Sequence, residues 1–253
     1  ESDYNMKGLF YILMMVMFFS CDKEDAWGCI KAAGSQETRI LSVDTFDKIL
    51  VNRDIELVVK QGQDYKVEIQ TGQNLLNNIE ITVVDKQLQL SDTNSCNFVR
   101  DFGLTKMIVT TPFLKEIRSS TQYLTSSEGV LNLDNLTLIS ENYNSNYLNV
   151  GDFNIKINAE RLKVIANGLS VFTISGSTES LSVEFYAGLC EFKGADLIAQ
   201  HVNIFQRSSH DIIVNPKQSL TVDIRSVGDV ISVYRPHLVD VQEYYSGQLL
   251  FLD

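Results

Sequence analysis

From about residue 105 onward, one short apolar pattern keeps returning at nearly constant spacing. It reads Leu136-Thr137-Leu138, Leu162-Lys163-Val164, Leu181-Ser182-Val183, Val202-Asn203-Ile204, Leu220-Thr221-Val222 and Val239-Asp240-Val241, with starts 26, 19, 21, 18 and 19 residues apart. About ten residues after each comes a second short strand: Leu148 and Val150, Phe172 and Ile174, Cys190 and Phe192, Ile212 and Val214, Val230 and Ser232, Leu249 and Phe251. Turns of Gly, Asn and Ser fall at comparable offsets, among them Asn167-Gly168, Ala187-Gly188, Ser208-Ser209, Val227-Gly228 and Ser246-Gly247. A unit of about 20 residues with two or three short strands cannot bury its apolar side alone, so successive units must stack and share one core. Stacking at the spacing of hydrogen-bonded strands, about 4.8 Å, pairs every backbone group except at the two ends. The pattern predicts an all-β chain folded as a single-stranded parallel β-helix, or solenoid. A β-sandwich also has short strands, but it does not need its turns to recur at one offset.

Before this repeat the period is still two. Ile55, Leu57 and Val59 alternate, followed by Val67 and Ile69, then Ile79, Ile81 and Val83, then Leu88 and Leu90. These strands read as a short N-terminal β-meander or as opening coils, with one helical turn over Gln73 to Asn78. The ends of such a stack expose strand edges and need covers. The residues before Val43 and the last stretch, Leu249 to Asp253, are the candidates.

The first residues have a different character. After Glu1 to Asn5, which stand ahead of Met6, Lys7 and the apolar run Leu9 to Phe19 have the form of a signal peptide over 6–20. The run is shorter than the roughly 20 apolar residues that a spanning helix needs. Phe18-Phe19-Ser20-Cys21 resembles a bacterial lipobox, which makes Cys21 the acylated first residue of a mature chain. Asp22-Lys23-Glu24-Asp25 then resembles the export tag of surface lipoproteins. Residues 21–38 are assigned to an acylated tether and N-terminal cap, and 39–253 to the β-helix. Membrane attachment is expected through the lipid alone, at the outer membrane and facing the cell surface.

Cys29, Cys96 and Cys190 would then sit in an oxidising compartment. Cys29 and Cys96 both lie in loop-like contexts, and a disulfide between them would close a loop of roughly 67 residues, worth about 3 to 4 kcal/mol. Two free thiols are the other state. Cys190 alternates with apolar neighbours and reads as a small buried hydrophobe.

The stretches Ala26-Trp27-Gly28-Cys29, Phe46-Asp47-Lys48-Ile49, Val59-Lys60-Gln61-Gly62, Gly72-Gln73-Asn74-Leu75-Leu76 and Ser95-Cys96-Asn97-Phe98-Val99-Arg100 resemble the family called putative auto-transporter adhesin, head GIN domain. So do the turns Ser226-Val227-Gly228-Asp229-Val230 and Tyr245-Ser246-Gly247-Gln248-Leu249. That resemblance implies a right-handed parallel β-helix, secreted or surface-anchored in Gram-negative bacteria, with a role in binding or adhesion.

The function classes narrow from charge and motif. A net charge of -11 disfavours nucleic acid, whose binding needs clustered Lys and Arg. No CxxC occurs, and the 3 His lack ligand spacing, so no metal or cofactor is called for. A pectinase-like hydrolase or lyase would need two carboxylates facing one sugar across a groove. The nearest set is His210-Asp211 with Arg207, Arg225 and Asp229, and it falls where exposed polar turn residues belong. A non-catalytic binding protein is expected, its partner a surface glycan or an envelope protein; an envelope scaffold is the third reading. Candidate ligand-stacking aromatics are Tyr143, Tyr147, Tyr186, Phe205 and Tyr234, with Tyr244 and Tyr245 beyond them. Ser119 to Gln122 and Asn142 to Asn149 offer hydroxyls and side-chain amides to a glycan, or to turn backbone.

Overall fold

The computed structural model describes residues 31–94, 103, 105–143 and 147–252. Cys21, Cys29 and Cys96, the signal-like segment and most of the tether lie outside the described residues. Sixteen strands join in one unclosed, largely parallel sheet, an architecture compatible with a β-helix or solenoid. The N-terminal third contains β1 (Gln36–Ser42), β2 (Lys48–Val51), β3 (Ile55–Gln61), β4 (Lys66–Gly72), β5 (Ile79–Val84), β6 (Gln87–Asp92), β7 (Thr105–Thr111) and β8 (Glu116–Ser119). The remainder contains β9 (Thr125–Ser140), β10 (Phe153–Ala166), β11 (Val171–Phe185), β12 (Glu191–Gln206), β13 (Ile212–Ile224), β14 (Val230–Ser232), β15 (Leu238–Glu243) and β16 (Leu249–Phe251).

The recurring triplets stack as their spacing predicts. Leu136, Leu162, Leu181, Val202, Leu220 and Val239 are consecutive partners across β9, β10, β11, β12, β13 and β15. The same register continues into the N-terminal third through Leu138, Ile117, Ile49 and Leu88. Because side chains alternate across a strand, this in-phase pairing sends every apolar member of the ladder to one side. Leu138, Val164, Val183, Ile204 and Val222 are all buried there, while Thr137, Lys163, Ser182, Asn203 and Thr221 face out.

Two expectations are corrected. The second strand is continuous with the next triplet: each of β10 to β13 spans both apolar segments, with shifts of register between them in β10 to β12, and a loop separates successive strands near Gly168, Gly188, Ser208 and Gly228. The second ladder passes through Phe153, not Leu148 or Val150, which lie before β10; from there it runs Phe172, Phe192, Ile212, Val230, Leu249. Leu148 and Val150 alternate like a strand but sit in the long connection between β9 and β10, half-buried. The rings of Phe153 and Phe172 stack at 4.7 Å and 11° inside the core. At the turns, coils approach so closely that a side chain at Gly168 would run into the Asn149 carbonyl, and one at Gly188 into that of Gly168. Glycine is needed there for close approach.

The N-terminal third mixes both sequence expectations. β2 and β3 form a parallel coil, but β1 pairs β4, β4 pairs β7 and β5 pairs β6 antiparallel. The expected helical turn is a 3-10 helix over Gln73–Asn78 that buries Leu75 and Leu76, of which Leu76 joins the core. Ala33 and Ser35 accept backbone hydrogen bonds from Asn74 and Gln73, laying residues 32–35 across that helix. The expected C-terminal cover is absent among the described residues: Leu249–Phe251 is itself the last strand, and Leu250 and Leu252 are 40% and 57% exposed.

Candidate functional site: an aromatic and arginine row

Regular stacking places equivalent residues of successive coils side by side. Tyr186, Arg207, Arg225 and Tyr244 occupy the same place just after their strands. Each backbone N–H donates to the preceding coil, to Ala166, Phe185, Gln206 and Ile224 respectively, at 2.8 to 2.9 Å. Phe205 stands one outward-facing position earlier, in register with Glu184 and Asp223. Tyr143, in the β9–β10 connection, reaches Tyr186 with ring centroids 6.1 Å apart, and Tyr186 reaches Phe205 at 5.3 Å. The Arg225 guanidinium lies 5.7 Å from the Phe205 ring and 4.7 Å from that of Tyr244. The result is a continuous row, Tyr143, Tyr186, Phe205, Arg225, Tyr244, running along the stacking direction. Tyr143 and Tyr244 are each 60% exposed.

Charged neighbours hold the row in place. Arg225 makes a two-point contact with the Asp223 carboxylate, through Nε at 2.8 Å and a terminal nitrogen at 2.9 Å, which fixes the guanidinium between the two rings. The Tyr186 hydroxyl donates to Glu184 Oε2 at 2.8 Å, and Lys163 Nζ lies 2.8 Å from Glu184 Oε1. Burial alone would raise the Glu184 carboxyl. Hydrogen bonds from Lys163 and Tyr186 and the Lys163 charge outweigh it and hold the group below its ordinary value. The same hydrogen bond, then burial, raises the Tyr186 phenol.

At the Tyr143 end, Arg118 lies 2.6 Å from Glu141, whose other oxygen accepts the Tyr143 backbone N–H at 2.8 Å. Here too burial pulls the carboxyl upward, while Arg118 and the Tyr143 N–H bring it down on balance. Arg118 also sits 5.2 Å from the Tyr147 ring, so Tyr147 joins the row through the Arg118–Glu141 pair rather than through a ring contact. Tyr234 does not join: it follows β14 and lies under Lys217 at 4.2 Å. The supporting charges Arg118, Glu141, Lys163 and Glu184 carry no sequence signal of their own, and Arg225 stood out only beside His210-Asp211. The column itself left a signal, since Tyr186, Arg207, Arg225 and Tyr244 recur at the coil period.

The polar runs are largely spent on turns. Ser120 Oγ accepts the Leu148 N–H, Thr121 Oγ1 donates to the Ile55 carbonyl, and Gln122 donates to Asp54. Asn142, Asn149 and Asn167 bond to one another across adjacent coils. Of the residues considered for hydrolysis, three have partners in the fold. Asp211 accepts the Asp229 N–H, Asp229 accepts the Gln248 N–H, and Arg225 is held by Asp223. The Asp211 and Asp229 carboxylates each cap the backbone of the next coil. Elsewhere a concavity of about 490 Å³ is lined by Asn132, Asn158, Ser177, Glu160 and Glu179 among others, and its polar side chains bond along the stack, the Ser177 hydroxyl donating to Asn158 and the Asn158 amide to Asn132. Among the described residues no group of three His, Cys, Asp or Glu is placed to hold a metal, and no helix is long and apolar enough to cross a membrane.

The solved structures that this fold resembles are bacterial. An adhesin from Bacteroides fragilis, itself called putative, superposes with a TM-score of 0.77 at 21% identity, over 87% of this chain and 99% of that one. A further putative adhesin, from Parabacteroides merdae, gives 0.60 at 17% identity over 88% and 99%. A protein from Parabacteroides distasonis called a putative lipid binding protein gives 0.62 at 17% over 87% and 98%. At these identities the likeness concerns the fold. No curated protein matches the sequence. Residues 45–236 match the family model for putative auto-transporter adhesin, head GIN domain, and this chain belongs to that family.

Proposed function

We propose that this protein is a surface-exposed lipoprotein that works by binding, with the row from Tyr143 to Tyr244 stacking on the rings of a surface glycan. The observation that carries this reading is the continuity of the row. Rings in contact at 6.1 and 5.3 Å, one pair edge-on at 74° and the other tilted at 44°, are extended by the Arg225 guanidinium, at one side chain per coil or nearly so. Aromatic faces offer sugar C–H groups an apolar platform at small entropic cost, and the flanking Arg and Glu groups hydrogen-bond hydroxyls. A non-catalytic role is supported by Asp211 and Asp229, whose carboxylates are occupied by backbone N–H groups. Glu141 and Glu184 are shifted down, the wrong direction for a general acid.

The test is a glycan array followed by calorimetry on the best hit. Phe205→Ala and Tyr186→Ala should each weaken binding at least about tenfold, that is by about 1.4 kcal/mol or more. Full binding by both variants would discard the row as the site, and depolymerisation of a polysaccharide would discard the non-catalytic reading.

Anchoring belongs to the same proposal. Cys21 acylated with several chains would hold the domain firmly at the outer membrane, each buried methylene contributing about 0.8 kcal/mol. Cys21→Ala should move the chain from the membrane to the soluble fraction; unchanged partitioning would refute it. A Cys29–Cys96 disulfide would tie the tether to the body, and non-reducing peptide mapping that recovers both as alkylated thiols would rule it out. We read the stack as a right-handed, single-stranded parallel β-helix because parallel β-crossovers adopt that hand in nearly all cases.

A further inference from the structure

Beside the aromatic row stands one charge that the fold leaves uncompensated. Arg207 follows β12 in the same column as Tyr186 and Arg225: its N–H donates to the Phe185 carbonyl and the Arg225 N–H donates to that of Gln206, so Arg207 is one coil from each. Like charges in register on adjacent strands repel. Arg225 is neutralised by Asp223, whose two carboxylate oxygens are both taken. Glu184, the register partner of Phe205, has one oxygen on Lys163 and the other on the Tyr186 hydroxyl. Arg118 is matched by Glu141 at the Tyr143 end, and beyond the turn Asp211 accepts the Asp229 N–H. Among the described residues no hydrogen bond, ion pair or ring contact holds the exposed Arg207 side chain. The chain as a whole, at net charge -11, repels acidic polymers, so an acidic ligand has to be recognised at a local cationic point such as this one.

We infer that the glycan bound along the row is acidic, and that Arg207 takes the carboxylate of a uronic-acid-type sugar whose ring lies against Tyr186 and Phe205. The inference rests on the row being the glycan site and adds the class of sugar. Three considerations select a carboxylate. Coils about 4.8 Å apart are close to the width of one pyranose ring, so a sugar over Tyr186 and Phe205 brings a ring substituent to the next position of the column. The unpaired guanidinium presents five N–H donors in a planar fork and no acceptor, which matches a carboxylate at two points and leaves the proton of a sugar hydroxyl unserved. An anion seated there also offsets the repulsion between Arg207 and Arg225, which a neutral sugar does not.

The probes are galacturonate and glucuronate oligosaccharides, their methyl esters, and neutral and sulfated oligosaccharides of the same length, tested on an array and then by calorimetry with the full chain. The acids should bind at least about tenfold more tightly than their own methyl esters, which keep every ring and hydroxyl and lose only the charge. Arg207→Gln should remove that difference while leaving ester binding in place. Arg207→Lys should restore part of it, since it keeps the charge without the fork. Lys217→Gln, which takes the same charge from beside Tyr234 and outside the row, should change nothing. Because the fold does not use the Arg207 side chain, Arg207→Gln should melt no lower than the parent chain. The inference is overturned by equal affinity for acid and ester, or by an acid preference that survives Arg207→Gln. A preference for sulfated over carboxylated sugars, or an earlier melt of the variant, overturns it as well. Neutral sugars bound through Tyr186 and Phe205 with Arg207 idle would keep the row as the site and refute only the acidic sugar, whereas no binding of any glycan would refute the row itself.

Discussion

Phe172→Ala tests the idea that one stacked core carries the fold. Phe172 is fully buried, lies 4.7 Å from Phe153 in a near-parallel stack, lies 5.8 Å from Phe185, and is the register partner of Phe192 in the following coil. Truncating such a ring removes its transfer free energy and leaves a cavity that coils on both sides restrain from collapsing, which together cost about 3 to 5 kcal/mol. The ring-on-ring term contributes about 0.5 to 1.5 kcal/mol of that total. The pair term is separable, since in a stack each coil mainly contacts its neighbours. Phe153→Ala and Phe172→Ala combined should therefore fall short of the sum of the singles by about that pair term, while Phe172→Ala with the remote Phe46→Ala should add. Equilibrium urea unfolding, followed by far-UV circular dichroism with the m-value checked for constancy, measures all five proteins. A loss under about 1 kcal/mol for Phe172→Ala would show that the core relaxes freely around the site. Strict additivity with Phe153→Ala would show that the stack contributes no pairwise energy, and either result refutes the reasoning.

Acid stability should carry the signature of Glu141 and Glu184. Their folded values lie below the ordinary 4.5, so the stability they contribute is complete above that value and is lost as pH falls through the folded values. Glu141→Gln with Glu184→Gln should flatten this limb in pH-dependent thermal melts, and an unchanged limb would refute the assignment. Glu184→Gln alone should bring the Tyr186 phenol back toward 10 in an ultraviolet titration. The Cys190 thiol, pushed up to about 11 by burial, should resist alkylation near pH 8 until the chain unfolds, as mass spectrometry across a denaturant series would reveal.

The repeat was legible because Leu and Val mark each coil at the same two positions, and the ladder from Leu136 to Val239 follows the spacing residue for residue. Leu148 and Val150 misled because alternation alone does not separate a strand from a half-buried connection of the same period. The interlocking of β2 and β3 was not legible. Their partners β8 and β9 lie 68 residues downstream, as in Ile49 with Ile117 and Leu57 with Thr125, and nothing in the local pattern encodes a pairing so distant. Tyr143, Tyr186 and Phe205 were legible as out-of-phase aromatics. The guanidinium that joins Phe205 to Tyr244 was not, because Arg225 reads as an ordinary exposed turn residue until Asp223 is seen to hold it. Tyr234 shares their composition but follows a different strand, which composition does not reveal.

One coil sits out of chain order. β2 and β3 lie between β6 and β7 on one side and β8 and β9 on the other, although both flanking coils come later in the sequence. The first coil made is thus the filling of a sandwich whose slices arrive afterwards, and neither slice can dock until the chain has looped past it. Distant closure of this kind is slow. It divides the molecule into two regimes. The first hundred residues or so must assemble together and tolerate no insertion of a coil, whereas from β10 onward each coil rests on its predecessor. Whole coils can be gained or lost from that part without disturbing the start, so variation in length among relatives should be concentrated there.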